Sequence, residues 1–131
     1  DLEYNYNFLK EMLPSLYKNN IEVSLFLDPD IDNIALCKEL GVNAIEFHTG
    51  EIANAFGEEE KFLINKLKNV IEYAANLGIS IRAGHGLNFD KTKKIINIKY
   101  LEELNIGHFI IGESIFYGLS EVVKKMKKII G

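Results

Sequence analysis

The sequence has few of the residues that define covalent or extracellular architectures. Its 131 residues include one cysteine, two prolines, no tryptophan and one arginine. Cys37 cannot form an internal disulfide, and its helical spacing beside Leu36 and Leu40 is typical of a small core residue. With 47% hydrophobic and 26% charged residues, the composition predicts a single domain over residues 1–131 and excludes collagenous, disordered and disulfide-rich classes.

Long apolar runs and an excess of positive charge are also missing. No apolar stretch approaches the ~18 residues that span a bilayer. The first ten residues, DLEYNYNFLK, lack a signal-peptide pattern, so we expect a cytoplasmic protein with no membrane partner. The 15 basic and 19 acidic residues give a net charge of −4, which argues against a nucleic-acid surface because phosphate backbones require a basic footprint. Small molecules are the expected partners.

Short apolar segments alternate with helical patterns along the chain. The predicted strands cover residues 23–27, 44–47, 79–83 and 104–106. Four helices are predicted: at residues 2–18, from a cap at Asp30 or Asp32 to Leu40, from Glu58 to Gly78, and from a cap at Asp90 to Ile95. A turn of helix is predicted at 114–117, and a last helix after Ser120. Pro14 argues against an unbroken first helix, and residues 48–57 are predicted to form a loop. This order indicates an α/β fold with a parallel sheet, either a small open sheet or half of an eight-stranded barrel.

The predicted strands have one apolar face and one polar face. The apolar face holds Val23, Leu25, Leu27, Ile45, Phe47, Ile79, Ile81, Ala83, Leu104 and Ile106. The opposite face, which we call the polar face, holds Ser24, Phe26, Asp28, Glu46, His48, Ser80, Arg82 and Asn105. A purely structural barrel fills its interior with Val, Ile and Leu. The polar face therefore predicts an interior that binds a polar ligand.

All three histidines of the chain follow the end of a predicted strand. These positions, His48, His85 and His108, are where α/β proteins place their sites. Glycines flank His85 on both sides, Gly107 precedes His108, and Gly112 follows it, which would leave bare backbone amides for an anion. Arg82 shares the polar face with Glu46, and we expect the two either to interact in the site or to form a structural salt bridge.

Four motifs occur together in a specific order and spacing: VSLFLD at 23–28, IEFHTG at 45–50, AGHGLN at 83–88 and ELNIGH at 103–108. In these motifs the chain resembles the pyridoxine 5′-phosphate synthase family over nearly its whole length. The resemblance implies a (β/α)₈ TIM barrel, of which this chain supplies the C-terminal four βα units. Either the sequence is a fragment of a longer enzyme, or it is a half-barrel that pairs with another half; alone it is expected to be inactive.

The resemblance also implies a reaction and its residues. The reaction condenses 1-deoxy-D-xylulose 5-phosphate with 3-amino-2-oxopropyl phosphate to give pyridoxine 5′-phosphate, phosphate and water, with no cofactor or metal, in a homo-oligomer. It implies His85 as proton donor, Glu46 as the group that stabilises charge in the transition state, Gly86 as a substrate contact, and Gly107 and His108 as the phosphate site through their main chain. His48 has no defined role, and Arg82 stands where many relatives have a small neutral amide, so both are expected only to support the site.

Two other functions stay open on the sequence. His48, His85 and His108 with Glu46 could instead bind zinc or a similar ion in a metal-dependent TIM-barrel enzyme. The chain could also be a non-catalytic half-barrel that binds phosphate. Metal content distinguishes the first alternative from the synthase, and turnover distinguishes the second.

Overall fold

The computed structural model describes residues 2–131, which form four strands and seven helices. The strands are β1 (Ser24–Leu27), β2 (Ala44–His48), β3 (Ser80–Gly84) and β4 (Glu103–Asn105). The helices are α1 (Leu2–Lys18), α2 (Ile31–Glu39), α3 (Gly50–Asn54), α4 (Gly57–Asn76), α5 (Phe89–Ile95), α6 (His108–Tyr117) and α7 (Leu119–Ile130). None of the helices within this described range is long and apolar enough to cross a membrane.

The four strands form one parallel sheet in the order β1-β2-β3-β4. A helix separates each strand from the next, so the predicted βαβ units and the α/β class are confirmed. The order of the strands in the sheet follows their order in the chain throughout. In doubly wound sheets, by contrast, the strand order reverses at the ligand-binding crevice. Strands that add in sequence with helices between them are the arrangement of a (β/α) barrel segment.

The predicted division into two faces is confirmed. On the apolar face, Ile45, Phe47, Ile81 and Ala83 are completely buried. Ile34 and Cys37 of α2 and Leu67, Val70 and Ile71 of α4 belong to the same core cluster as the strand residues. Cys37 is thus the core residue that its spacing indicates, and burial raises the pKa of its thiol to about 11. On the polar face, Glu46, His48 and Arg82 are only partly buried.

Helix ends follow local hydrogen bonding. Asp30, rather than Asp32, caps α2, because its carboxylate accepts a hydrogen bond from the Asp32 amide at 3.0 Å. The predicted cap of α5 at Asp90 is wrong: the Asn88 side chain accepts from the Lys91 amide at 2.9 Å. α1 is unbroken despite Pro14, whose ring lies on the exposed side of the helix.

Two segments differ from their predicted structure. The expected loop at 48–57 contains α3, in which Ile52 is buried; five residues are too few to show helical periodicity. The predicted turn at 114–117 is the end of a ten-residue helix, α6. Its sequence has no apolar stripe and none of its residues is buried, and Phe109 makes an edge-to-face contact with Phe89 with ring centroids 4.8 Å apart.

A buried ion-pair network ties α4 to α5. Lys91 Nζ lies 2.6 Å from Glu60 Oε1 and 2.5 Å from the Ala55 carbonyl oxygen, and Lys94 Nζ lies 2.6 Å from Glu60 Oε2. The side chains of Lys91 and Glu60 are only 5% and 8% exposed. These hydrogen bonds, first from Lys91 and then from Lys94, lower the pKa of the Glu60 carboxyl.

This lowered pKa predicts a loss of stability in acid. Because the folded-state pKa of Glu60 lies below its ordinary value of 4.5, its contribution is present above pH 4.5 and is lost as the pH falls through the folded-state pKa. We expect Glu60→Gln to reduce the difference in urea midpoint between pH 7 and pH 3. The matched control is Glu58→Gln, because Glu58 is 89% exposed in its pair with Lys61. An equal pH response in Glu60→Gln and the unmutated protein would contradict the prediction.

Candidate active site

A cavity of about 500 Å³ opens where the carboxyl ends of β2, β3 and β4 meet. It is lined by all five residues expected to act directly on substrate: Glu46, His85, Gly86, Gly107 and His108. Phe26, Leu87, Ile106 and Phe109 supply apolar wall. Residues from β1, β2 and β4, from the turn after β3 and from the start of α6 therefore converge, which is the usual construction of a site in this fold class.

Glu46 is held by an amide, not by the arginine expected from the sequence. Asn105 Nδ2 donates to Glu46 Oε2 at 2.8 Å. The strand register sets Arg82 beside Glu46, yet Arg82 donates to Glu22 at 2.6 Å and lies 3.5 Å from Glu103. The hydrogen bond to Glu22 raises the pKa of the guanidinium. The expected Arg82–Glu46 pair is therefore wrong in both of its forms, in the site and as a structural salt bridge, because Arg82 forms its salt bridges with Glu22 and Glu103.

Small residues lie on both sides of Glu46 and Arg82 along the polar face. Toward the start of the strands, the neighbouring register positions hold Ser24, Ala44 and Ser80. Toward the carboxyl ends of the strands, the next register position on the same face places Gly84 between His48 and Asn105. A Cβ on Gly84 would overlap Glu46 Oε1, so the missing side chain is the space that the carboxylate uses to reach Asn105.

His85 has an unusual backbone. Its φ is +80°, a left-handed conformation that is uncommon outside glycine, and Gly86 follows with φ of +74°. Thr49, which is completely buried, holds this turn: its hydroxyl oxygen is 2.7 Å from the carbonyl oxygens of both Gly84 and His85, and its amide donates to Gly84 at 2.8 Å. Strained conformations of this kind persist where the surroundings fix them and are frequent in active sites.

His48 lies beside the cavity, not in its lining. Its ring centroid is 4.6 Å from that of His85 and 5.2 Å from that of Phe26, and its Nδ1 is 3.2 Å from Asp28 Oδ1. Gly50 makes this packing possible, because a Cβ there would lie 2.7 Å from His48 Cε1. The structure thus gives His48 a defined place between Asp28 and His85.

Gly107 and His108 lie at the start of α6. Gly107 is the residue before the helix, and the first amides of a helix have no acceptor within it. Together with the helix dipole, such amides favour an anion. Gly112, which the sequence placed with these glycines, is five residues into α6 and outside its first turn.

Three contributors to the site carried weaker sequence signals. The sequence pattern predicts Asn105 on the polar face, but its hydrogen bond to Glu46 depends on the register of β4. Thr49 follows β2 and could be noted only as part of the IEFHTG motif. In the sequence, Gly84 has the pattern of an ordinary turn residue after a strand. In the structure, its missing side chain leaves the space that the Glu46 carboxylate occupies.

The three histidines do not form a metal site. Within residues 2–131 no group of three His, Cys, Asp or Glu side chains has a geometry that could hold a metal ion. His85 and His108 line the cavity while His48 does not, and Glu46 is bound to an amide. The arrangement gives no support to the metal-dependent alternative.

The fold and the site together define a class: part of a (β/α) barrel with a polar site at the carboxyl ends of its parallel strands. A xylose isomerase domain protein from Planctomyces limnophilus supports the fold, with a TM-score of 0.52, 18% identity, and coverage of 76% of this chain and 37% of that structure. At that identity the likeness concerns the fold alone.

Residues 1–131 match the family described as pyridoxal phosphate biosynthesis protein PdxJ, and the chain belongs to that family. A pyridoxine 5′-phosphate synthase of a Sulfurihydrogenibium species is 45% identical over 124 residues, which cover 95% of this chain and 51% of that protein. The corresponding synthase of Blochmanniella floridana is 37% identical over 131 residues, 99% of this chain and 53% of that protein. The chain therefore spans about half the length of these relatives.

Proposed function

We propose that the protein carrying this chain is a pyridoxine 5′-phosphate synthase, which condenses 1-deoxy-D-xylulose 5-phosphate with 3-amino-2-oxopropyl phosphate and releases phosphate and water. The observation that supports this most is the single cavity that His85, Glu46 and the start of α6 share. It brings together an imidazole, a carboxylate and the start of a helix, which would serve as the proton-transfer group, the negative charge and the anion site for a condensation of two phosphorylated substrates. Family membership supports the same reaction.

His85 would transfer protons in this reaction. Imine formation expels water, and elimination expels phosphate; each leaving group departs more readily when it receives a proton. Imidazole is suited to this role near neutral pH because its ordinary pKa lies close to 6.5. His85 lines the cavity and stands on a rigid turn held by Thr49. The geometry therefore favours it as proton donor.

Glu46 would stabilise positive charge. An amine that attacks a ketone becomes cationic before it loses its proton, and a fixed carboxylate nearby lowers the energy of that state. The hydrogen bond from Asn105 fixes the Glu46 carboxylate in the cavity, so it needs little reorganisation during the reaction.

A substrate phosphate would bind at Gly107 and His108 through their main chain. Both residues line the cavity, and both lie at the start of α6. A phosphate there would be within reach of the helix amides, while the carbon skeleton would extend toward His85 and Gly86. Phosphate sites after the last strands of a barrel follow the same principle.

The rest of the barrel would come from sequence outside this chain. β1 and β4 are each paired on one side only, and Phe8, Ile115 and Phe116 are 63%, 79% and 79% exposed. Open strand edges and exposed apolar side chains require a cover in a stable protein. We propose that residues 1–131 form the C-terminal half of a closed (β/α)₈ barrel, in a cytoplasmic homo-oligomer.

Incubation of the full-length protein with both substrates tests the proposal directly. We expect pyridoxine 5′-phosphate and inorganic phosphate to form in equal amounts, measured by mass spectrometry and a phosphate assay. Addition of a chelator should leave the rate unchanged, and a loss of rate would favour the metal-dependent alternative. Binding of substrate without turnover would instead favour the non-catalytic half-barrel and would refute the synthase.

Gly107→Val tests the phosphate site. A Cβ at Gly107 has no atom of the protein within 4 Å, and its φ of −107° suits any residue, so the chain itself tolerates the change. The valine methyl groups would crowd the amides that face the phosphate. We expect the KM for the phosphate bound there to rise about tenfold or more, because charge-assisted hydrogen bonds to the anion are lost. An unchanged KM would exclude this position.

A further inference from the structure

Asp28, His48 and His85 form a continuous array that the proposed reaction leaves unexplained. Asp28 directly follows β1, His48 is the last residue of the neighbouring strand β2, and Asp28 Oδ1 lies 3.2 Å from His48 Nδ1. The His48 ring then packs on the His85 ring with centroids 4.6 Å apart. The array therefore leads from an exposed carboxylate to the group placed as proton donor.

The surroundings fix the His48 ring in this orientation. Phe26 packs edge-on against its other side, with centroids 5.2 Å apart and an interplanar angle of 79°. A Cβ on Gly50 would approach His48 Nε2 to 2.8 Å and His85 Cδ2 to 3.3 Å, so both rings use the space that glycine leaves. The main freedom left to His48 is which ring nitrogen carries the proton.

The contact with Asp28 bears on that choice. A carboxylate only accepts hydrogen bonds, so its contact with neutral His48 is a hydrogen bond only in the form that carries the proton on Nδ1 and leaves Nε2 as the acceptor nitrogen. Hydrogen bonds from a carboxylate commonly fix the tautomer and ring orientation of a functional histidine. Because the Asp28 side chain is 80% exposed, its interaction with His48 adds little to stability. A role in orientation explains the pair better than a role in folding.

We propose that Asp28 and His48 are positioning residues for His85: the Asp28 carboxylate fixes the Nδ1-protonated form of His48, and the His48 ring holds the His85 imidazole in its catalytic orientation. This inference rests on the proposed function, because it assumes that His85 transfers the proton. It assigns no contact with substrate to either residue. Their removal should therefore lower kcat and spare KM.

The test compares Asp28→Asn, His48→Phe and His85→Asn in the full-length protein. His48→Phe keeps an aromatic ring against Phe26 and His85 but loses the hydrogen bond to Asp28 that, in this proposal, orients the ring. We expect Asp28→Asn and His48→Phe each to lower kcat about tenfold or more, a part of the roughly 10²–10⁴-fold that acid–base catalysis contributes, with KM changed less than about twofold. The melting temperature of Asp28→Asn should stay unchanged. Asp32→Asn, which removes a neighbouring exposed carboxylate, is the matched control and should keep full activity.

A spectroscopic readout is independent of turnover. Nitrogen chemical shifts of His48 should show the Nδ1-protonated form in the unmutated protein and a shift toward the Nε2-protonated form in Asp28→Asn. Wild-type kcat in both Asp28→Asn and His48→Phe, or an Nε2-protonated His48 in the unmutated protein, would overturn the inference. Either result leaves the proposed function standing as long as His85→Asn is inactive. Full activity of His85→Asn would overturn the proposed function itself.

Discussion

Replacement of His85 with asparagine is expected to abolish most turnover, lowering kcat about 10²–10⁴-fold, the usual contribution of a positioned general acid. Asparagine is the informative substitution because, like histidine, it tolerates a left-handed backbone, and the φ at this position is +80°. The turn held by Thr49 should therefore survive the change. Steady-state kinetics of the full-length protein measures the loss of kcat. Calorimetry measures whether the variant still binds phosphate.

The controls separate lost chemistry from a lost fold. His85→Gly also accepts the left-handed backbone and should be as inactive as His85→Asn. Lys68→Gln should leave kcat unchanged, because Lys68 is exposed on α4 and lies far along the chain from the strand ends. Retention of phosphate affinity in His85→Asn would show that the α6 site is intact. Turnover at the wild-type rate in His85→Asn would exclude this residue as proton donor.

The sheet and its two faces could be predicted because they depend on a period of two within short segments. Ile45 and Phe47 alternate with Glu46 and His48, and in a strand this alternation buries the first pair and leaves the second partly exposed. Placement of the histidines at strand ends followed from the same pattern, because parallel strands bring their carboxyl ends to one edge. His85 and His108 consequently line one cavity.

Side-chain partners could not be predicted in the same way. Glu46 and Arg82 are register neighbours, and opposite charges at that distance suggest a pair. The actual partners lie elsewhere: Arg82 donates to Glu22, and Gly84 leaves the space through which Glu46 reaches Asn105. A linear sequence does not state which strand lies beside which, so this space appears only in the folded sheet. The place of His48 above Gly50 depends on the same kind of space.

The Gly84→Ala substitution tests this use of empty space and is expected to lower kcat about 10²-fold, the effect of misplacing a reacting group by about 1 Å. Its added Cβ would overlap Glu46 Oε1 and would lie 2.8 Å from the backbone oxygen of Asn105. Glu46 must then leave Asn105, while β4 resists movement because its backbone is paired to β3. Overpacking of this kind also costs about 1–3 kcal/mol of stability.

Gly78→Ala is the matched control, because it adds the same methyl group just before the same strand, at its opposite end. Gly78 has a φ of +75° and no atom within 4 Å of a built Cβ, so alanine there costs about 1–2 kcal/mol of backbone strain without touching the cavity. We expect both variants to unfold at lower urea concentration, but only Gly84→Ala to lose kcat. If Gly84→Ala kept full activity, Glu46 would not need its bond to Asn105, and the charge-stabilising role proposed for that carboxylate would be wrong. Equal losses of kcat in both variants would instead trace the defect to general destabilisation of β3.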